Sequence, residues 1–95
     1  MKEISLDASE WRDRDDFYDA LLPALGAPTW HGRNLDALND SISGGDISAI
    51  RLPIRIEITN SAAVPSELRD YLAKFADLIT DLKTDRACDI ALVLD

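Results

Sequence analysis

Ile54-Arg55-Ile56-Glu57-Ile58-Thr59 and Ile90-Ala91-Leu92-Val93-Leu94 bracket the stretch that decides the fold. In the first, β-branched residues alternate with polar ones, the period-two pattern of a strand with one buried face. Pro53 fits its start, where no ladder N–H is required. The second is a nearly unbroken apolar run, which suits a strand covered on both faces or a central one. Between them Leu68, Leu72, Phe75, Ile79 and Leu82 recur at helical spacing. They predict a helix from Pro65 or Ser66 to about Lys83, with Arg69, Asp70, Lys74, Asp77, Asp81 and Lys83 toward solvent. Asn60 to Pro65 reads as loop. Two strands joined by a helix pair in parallel through a right-handed crossover.

The same reading extends toward the N-terminus. Ile4 and Leu6 alternate with Glu3, Ser5 and Asp7 and predict a short opening strand. Phe17, Leu21, Ala24 and Leu25 mark the buried face of a first helix. Asp13 can cap it, with Asp16 three residues on, and Asp15 and Asp19 add negative charge toward its start. Gly26 and Pro28 stop it, and Pro23 sits late enough to kink it. After a loop at Thr29-Trp30-His31-Gly32-Arg33, Asn34 is a plausible cap for a second helix, Leu35 to Ser43. Leu35, Leu38 and Ile42 form its inner stripe, Asp36, Asn39, Asp40 and Ser43 the other side, and Gly44-Gly45 ends it. Residues 46–53 read as a connection. The order strand, helix, helix, strand, helix, strand predicts an α/β fold with a small three-stranded parallel sheet packed against helices. At 95 residues, one domain spanning 1–95 is expected.

Charge narrows the function. Ten basic residues face eighteen acidic ones, a net charge near −8. That field repels RNA, DNA and anionic membranes and attracts a cationic partner. It also serves plain solubility. The lone Cys88 has no second cysteine to pair with and reads as a small buried hydrophobe. A reducing, cytoplasmic setting is expected, with no apolar leader at Met1-Lys2-Glu3-Ile4-Ser5.

Catalysis finds little support. His31 is the one histidine, and with Asp36 and Cys88 it makes a poor catalytic or metal set. There is no CxxC, HExxH, serine elbow or glycine-rich phosphate loop. No enzyme activity, cofactor or metal is expected. Asp36 and Asp40 are four apart, so a helix presents both carboxylates on one face. Such a pair is either an ordinary solvated surface or a receptor for lysines, arginines or protonated histidine of a partner. Trp30 is either a loop anchor or an interface aromatic. Gly32 either needs a positive φ or lets a partner approach its backbone. Arg33 departs from an acidic surface and either orients the loop or pairs locally with a carboxylate.

The stretch Trp30-His31-Gly32-Arg33-Asn34-Leu35-Asp36-Ala37-Leu38-Asn39-Asp40 resembles the barstar family, intracellular inhibitors of barnase-type ribonucleases. That family's pattern is an aromatic pair or similar, Gly, one residue, Asn-Leu-Asp-Ala-Leu, one residue, Asp. Leu25-Gly26-Ala27-Pro28 and Ala87-Cys88-Asp89-Ile90-Ala91-Leu92-Val93-Leu94 support the resemblance, which covers essentially the whole chain. It implies a three-stranded parallel sheet with helices, and a second helix that plugs the active site of a basic ribonuclease or toxin in a one-to-one complex. Asp40 then takes the place of an RNA phosphate, Asp36 is the second carboxylate, and Trp30 packs on the enzyme. His31, Gly32, Arg33, Asn34, Asn39, Ser43 and Gly44 complete the implied partner-binding set. The chain departs from the family's best-known member at Asn39 (tryptophan there), Arg33 (glutamate there) and Ser41 (often cysteine), and its acidic contact in the last helix maps near Leu82, beside Asp81. The segment between Gly45 and Ile54 is also several residues longer. The rival expectation is an acidic adaptor module for a basic partner that is not a nuclease. A third and weaker rival is protection against an incoming toxin made by another cell, which the sequence does not separate from self-immunity.

Overall fold

A computed structural model describes residues 2–27, 32–42 and 53–95. Three strands, β1 (Lys2–Asp7), β2 (Ile54–Thr59) and β3 (Ile90–Leu94), form one sheet in the order β1-β2-β3 with both pairings parallel. The helices are α1 (Arg14–Leu25), α2 (Leu35–Ile42) and α3 (Ser66–Asp85). This is the expected three-stranded parallel sheet packed against helices.

The register explains why the helices lie on one side. Ile4 pairs with Ile56 and Leu6 with Ile58, while Ile54 and Ile56 pair with Ile90 and Leu92. Paired positions share a face, so these side chains form one apolar surface, and all but Leu92 are buried. The other face carries Glu3, Ser5, Arg55, Glu57, Ala91 and Val93, each exposed or half-buried.

That arrangement corrects the expectation for Ile90–Leu94. β3 is an edge strand, and the alternating β2 is the central one. Of β3 only Ile90 is buried; Ala91, Leu92 and Val93 are half-buried and Leu94 is exposed. An unbroken apolar run marks full coverage only where a second layer lies on the far face, and none of the described helices does so here.

Local signals set the helix ends. Asp13 is extended and its carboxylate accepts from the Asp16 N–H at 3.1 Å, while the Asp16 carboxylate accepts from the Arg12 N–H at 2.8 Å. Two otherwise orphaned N–H groups at the start of α1 are thus satisfied by reciprocal side chains. At the other end Gly26 is left-handed (φ 77°) and its N–H closes on Leu22 and Pro23 carbonyls. Pro23 does not end the helix, which runs on to Leu25 with the proline ring exposed. α3 extends two residues past the expected Lys83, and its whole predicted stripe is buried. Ser61–Ala63, expected as loop, is a short 3-10 turn.

The buried face of α1 is broader than its sequence spacing indicates, with Tyr18 and Leu22 joining Phe17, Leu21 and Leu25. Phe17 sits at the centre of an aromatic cluster with Trp11, Tyr18, Tyr71 and Phe75 at centroid distances from 4.8 to 6.1 Å. The Tyr18 and Tyr71 hydroxyls hydrogen-bond each other inside it, joining α1 to α3. Burial, and then the bond to Tyr71, pushes the Tyr18 phenol well above its ordinary pKa. The Arg14 guanidinium lies 4.3 Å from the Tyr71 ring centre and covers its outer side.

Because Tyr18 is fully buried and Tyr71 keeps a little exposure, the two hydroxyls are unequal. Tyr71→Phe strands the Tyr18 hydroxyl and is expected to lower stability by about 1–3 kcal/mol in urea unfolding. Tyr18→Phe strands a hydroxyl on the less deeply buried residue and is expected to cost less. The reverse order would contradict the structural role given to the pair.

Candidate partner-binding face

α2 begins at a side-chain cap. The Asn34 carboxamide oxygen accepts from the Ala37 N–H at 2.7 Å, and the Asn34 carbonyl accepts from Leu38 at 3.2 Å. The expected asparagine cap is therefore present. Leu38 and Ile42 are buried in the common core, Ser41 is buried, and Leu35 is half-buried. With that stripe turned inward, Asp36 and Asp40 are exposed on the outer side, one helical turn apart, with Asn39 half-buried beside Asp40. Neither carboxylate has an ion-pair or hydrogen-bond partner among the described residues.

Gly32 also meets a close intramolecular contact that its sequence position does not announce. A Cβ placed there would stand 3.1 Å from the Ala37 Cβ and 3.3 Å from the Asn34 amide nitrogen. The glycine lets the incoming chain lie against its own helix. Arg33 turns to α1. Its Nη2 donates to Asp19 Oδ1 at 2.6 Å, and its Nη1 donates to the Asp15 carbonyl at 3.3 Å and lies 3.6 Å from the Asp15 carboxylate. The hydrogen bond to Asp19 is the main cause raising its pKa further. Of the two roles open to Arg33 in the sequence, local pairing with a carboxylate is formed directly. Asp15 and Asp19 were read only as charges toward the start of α1; their four-residue spacing was the available signal that one cation serves both.

Cys88 is half-buried, with its sulfur 3.9 Å from the Ile42 carbonyl at the end of α2. It thus packs the loop before β3 against the far end of the same helix. Trp30, His31, Ser43 and Gly44 lie outside the described residues. The site residues that the structure brings together are therefore Gly32, Asn34, Asp36, Asn39 and Asp40, with Arg33 beside them and directed to α1. Among the described residues no three of His, Cys, Asp or Glu gather where they could hold a metal. No described helix is long and apolar enough to cross a membrane.

A capped acidic helix, packed beside α3 with its apolar stripe in the common core of an α/β fold with a three-stranded parallel sheet, is thus the feature on which comparison turns. The chain matches the family described as Barstar (barnase inhibitor) over residues 1–95. It belongs to the barstar family. It is also 23% identical, over the full length of both chains, to a Bacillus subtilis (strain 168) protein named "Putative ribonuclease inhibitor YrdF". Barstar-family proteins are inhibitors and not enzymes, and membership gives this chain the family's general role of ribonuclease inhibition.

The cap can be tested apart from any partner. Asn34→Ala is expected to lower stability by about 0.5–2 kcal/mol in urea unfolding, and Asn34→Asp to retain most of it. Equal losses for the two variants would count against the side-chain cap.

Proposed function

We propose that this barstar-family chain inhibits a basic, barnase-type ribonuclease by seating the outer face of α2 in its active site, one inhibitor to one enzyme. The observation that carries the reading is the unpartnered pair Asp36 and Asp40 on a helix whose inward face is fixed by burial. A ribonuclease site binds phosphate through cationic side chains. Asp40 takes the position of an RNA phosphate and meets those cations, and Asp36 supports it one turn earlier. In water the two carboxylates repel each other by a few tenths of a kcal/mol. In the complex each acquires a charge-assisted hydrogen bond, so the repulsion is relieved where it matters. Gly32 and Asn34 form the shoulder of the face, and half-buried Asn39 flanks the acids. Trp30, His31, Ser43 and Gly44, which precede and follow α2 in the sequence, belong to the proposed contact set.

The net charge of −8 adds a long-range component. It steers the chain toward a cationic enzyme and raises the association rate, an effect that weakens as salt shortens the screening length. Bound RNA and bound inhibitor occupy the same cations, so inhibition is competitive.

Cleavage of a fluorogenic RNA by barnase and by other basic secreted ribonucleases, titrated with the purified protein, tests this. Stoichiometric loss of activity with at least one enzyme is expected. Asp40→Ala is expected to weaken that complex by about 2–5 kcal/mol, the general cost of truncating one partner of a buried charge pair. Asp70→Ala, on the exposed side of α3, is expected to leave it nearly unchanged. Equal affinities of the two variants by titration calorimetry would remove Asp40 from its proposed role, and inhibition of no ribonuclease would favour a basic partner of another kind.

A further inference from the structure

We propose that Arg33 is a positioning residue, which latches the start of α2 to α1 and so sets the pose of the acidic face; this rests on α2 being the binding face proposed above. Three observations carry it. The first is scarcity. Arg33 is the one lysine or arginine between Arg14 and Arg51, a stretch that contains Asp15, Asp16, Asp19, Asp36, Asp40 and Asp46. The second is geometry. Both terminal nitrogens of its guanidinium are engaged on α1, one with the Asp19 carboxylate and the other with the Asp15 carbonyl and carboxylate. The third is place. Arg33 immediately precedes Asn34, the cap from which α2 starts, and follows Gly32, which lies against Ala37.

The physical consequence follows from these. α1 and α2 each present aspartates outward, and neither has a basic residue in its last turn. Where the start of α2 approaches Asp15 and Asp19, like charges repel. The planar arginine fork spans two points on α1 at once, a side chain and a backbone carbonyl, which a lysine ammonium does less well. It offsets the charge of α1 where α2 begins. Its own positive charge is thereby occupied within the molecule and does not oppose a cationic enzyme. The Arg33 side chain is 45% exposed and those of Asp19 and Asp15 are 62% and 78% exposed, so the latch is a modest device that salt weakens. Its effect concerns the angle and persistence of α2 and leaves global stability little changed.

Amide exchange of the free protein, followed by NMR, tests the latch without any partner. The reporters are the Ala37 and Leu38 amides, which bond to Asn34. Arg33→Ala and Asp19→Ala are each expected to speed their exchange about two- to fivefold, with the double variant no faster than either single one. In about 1 M salt the difference from the parent chain is expected to collapse. The Ile56 and Ile58 amides in the central strand are expected to stay unchanged throughout. Unchanged exchange at Ala37 and Leu38 in Arg33→Ala overturns the proposal, as do single effects that multiply in the double variant or a difference that survives high salt. Asp40→Ala is the control that separates the two readings. It is expected to leave the exchange rates at parent values while weakening ribonuclease inhibition, so a failed latch and a failed binding face give different results.

Discussion

The burial of Leu38 and Ile42 is the interaction on which the rest depends. Both side chains of α2 are almost fully withdrawn from water into the core shared with the sheet and α3. A helix has only one way to turn its apolar stripe inward, so fixing these two residues fixes where Asp36 and Asp40 point. Truncating a buried leucine such as Leu38 costs about 2–5 kcal/mol, far more than any single surface contact of this short helix. The orientation of the acids is therefore set by hydrophobic packing, and polar contacts refine it. The Asn34 cap defines the first turn, Gly32 lets the chain arrive close to Ala37, and Cys88 packs near the last carbonyl of the helix.

This division of labour suits an inhibitor. A partner-binding helix that presents like charges is poorly stabilised by its own surface, and α2 is only eight residues long. It persists because one side is core. The carboxylates remain free to bind, while the adjoining base is spent on α1. The molecule thus keeps most of its negative field on the outside and routes Arg33, the exception near the proposed face, toward Asp15 and Asp19.

Much of this was legible in the sequence, for reasons that can be stated. β1, β2 and α3 follow from strict periodicity, and the ends of α1 and the start of α2 follow from Asp13, Gly26 and Asn34, whose chemistry acts within a few residues. The motif from Trp30 to Asp40 identified the family. What could not be read is what depends on distant neighbours. The apolar run of β3 does not reveal that the strand lies at an edge, since that is decided by which strand β2 pairs with on its other side. Tyr18 falls off the simple stripe of α1 and is buried in the aromatic cluster, where its hydroxyl and that of Tyr71, 53 residues later, hydrogen-bond each other. The close approach of Gly32 to Ala37 depends on how the chain enters α2, which residue type alone does not show. Arg33 was left between two local roles because its partners are 14 and 18 residues upstream.

The central claim is that α2 and RNA compete for the same cationic site. The most direct measurement is the apparent inhibition constant, for a basic ribonuclease that this chain inhibits, determined at increasing concentrations of RNA substrate. The account predicts an inhibition constant that rises in proportion to substrate once substrate exceeds its KM. A constant that does not change with substrate would mean that the protein binds away from the active site, and would contradict the phosphate-mimic role of Asp40.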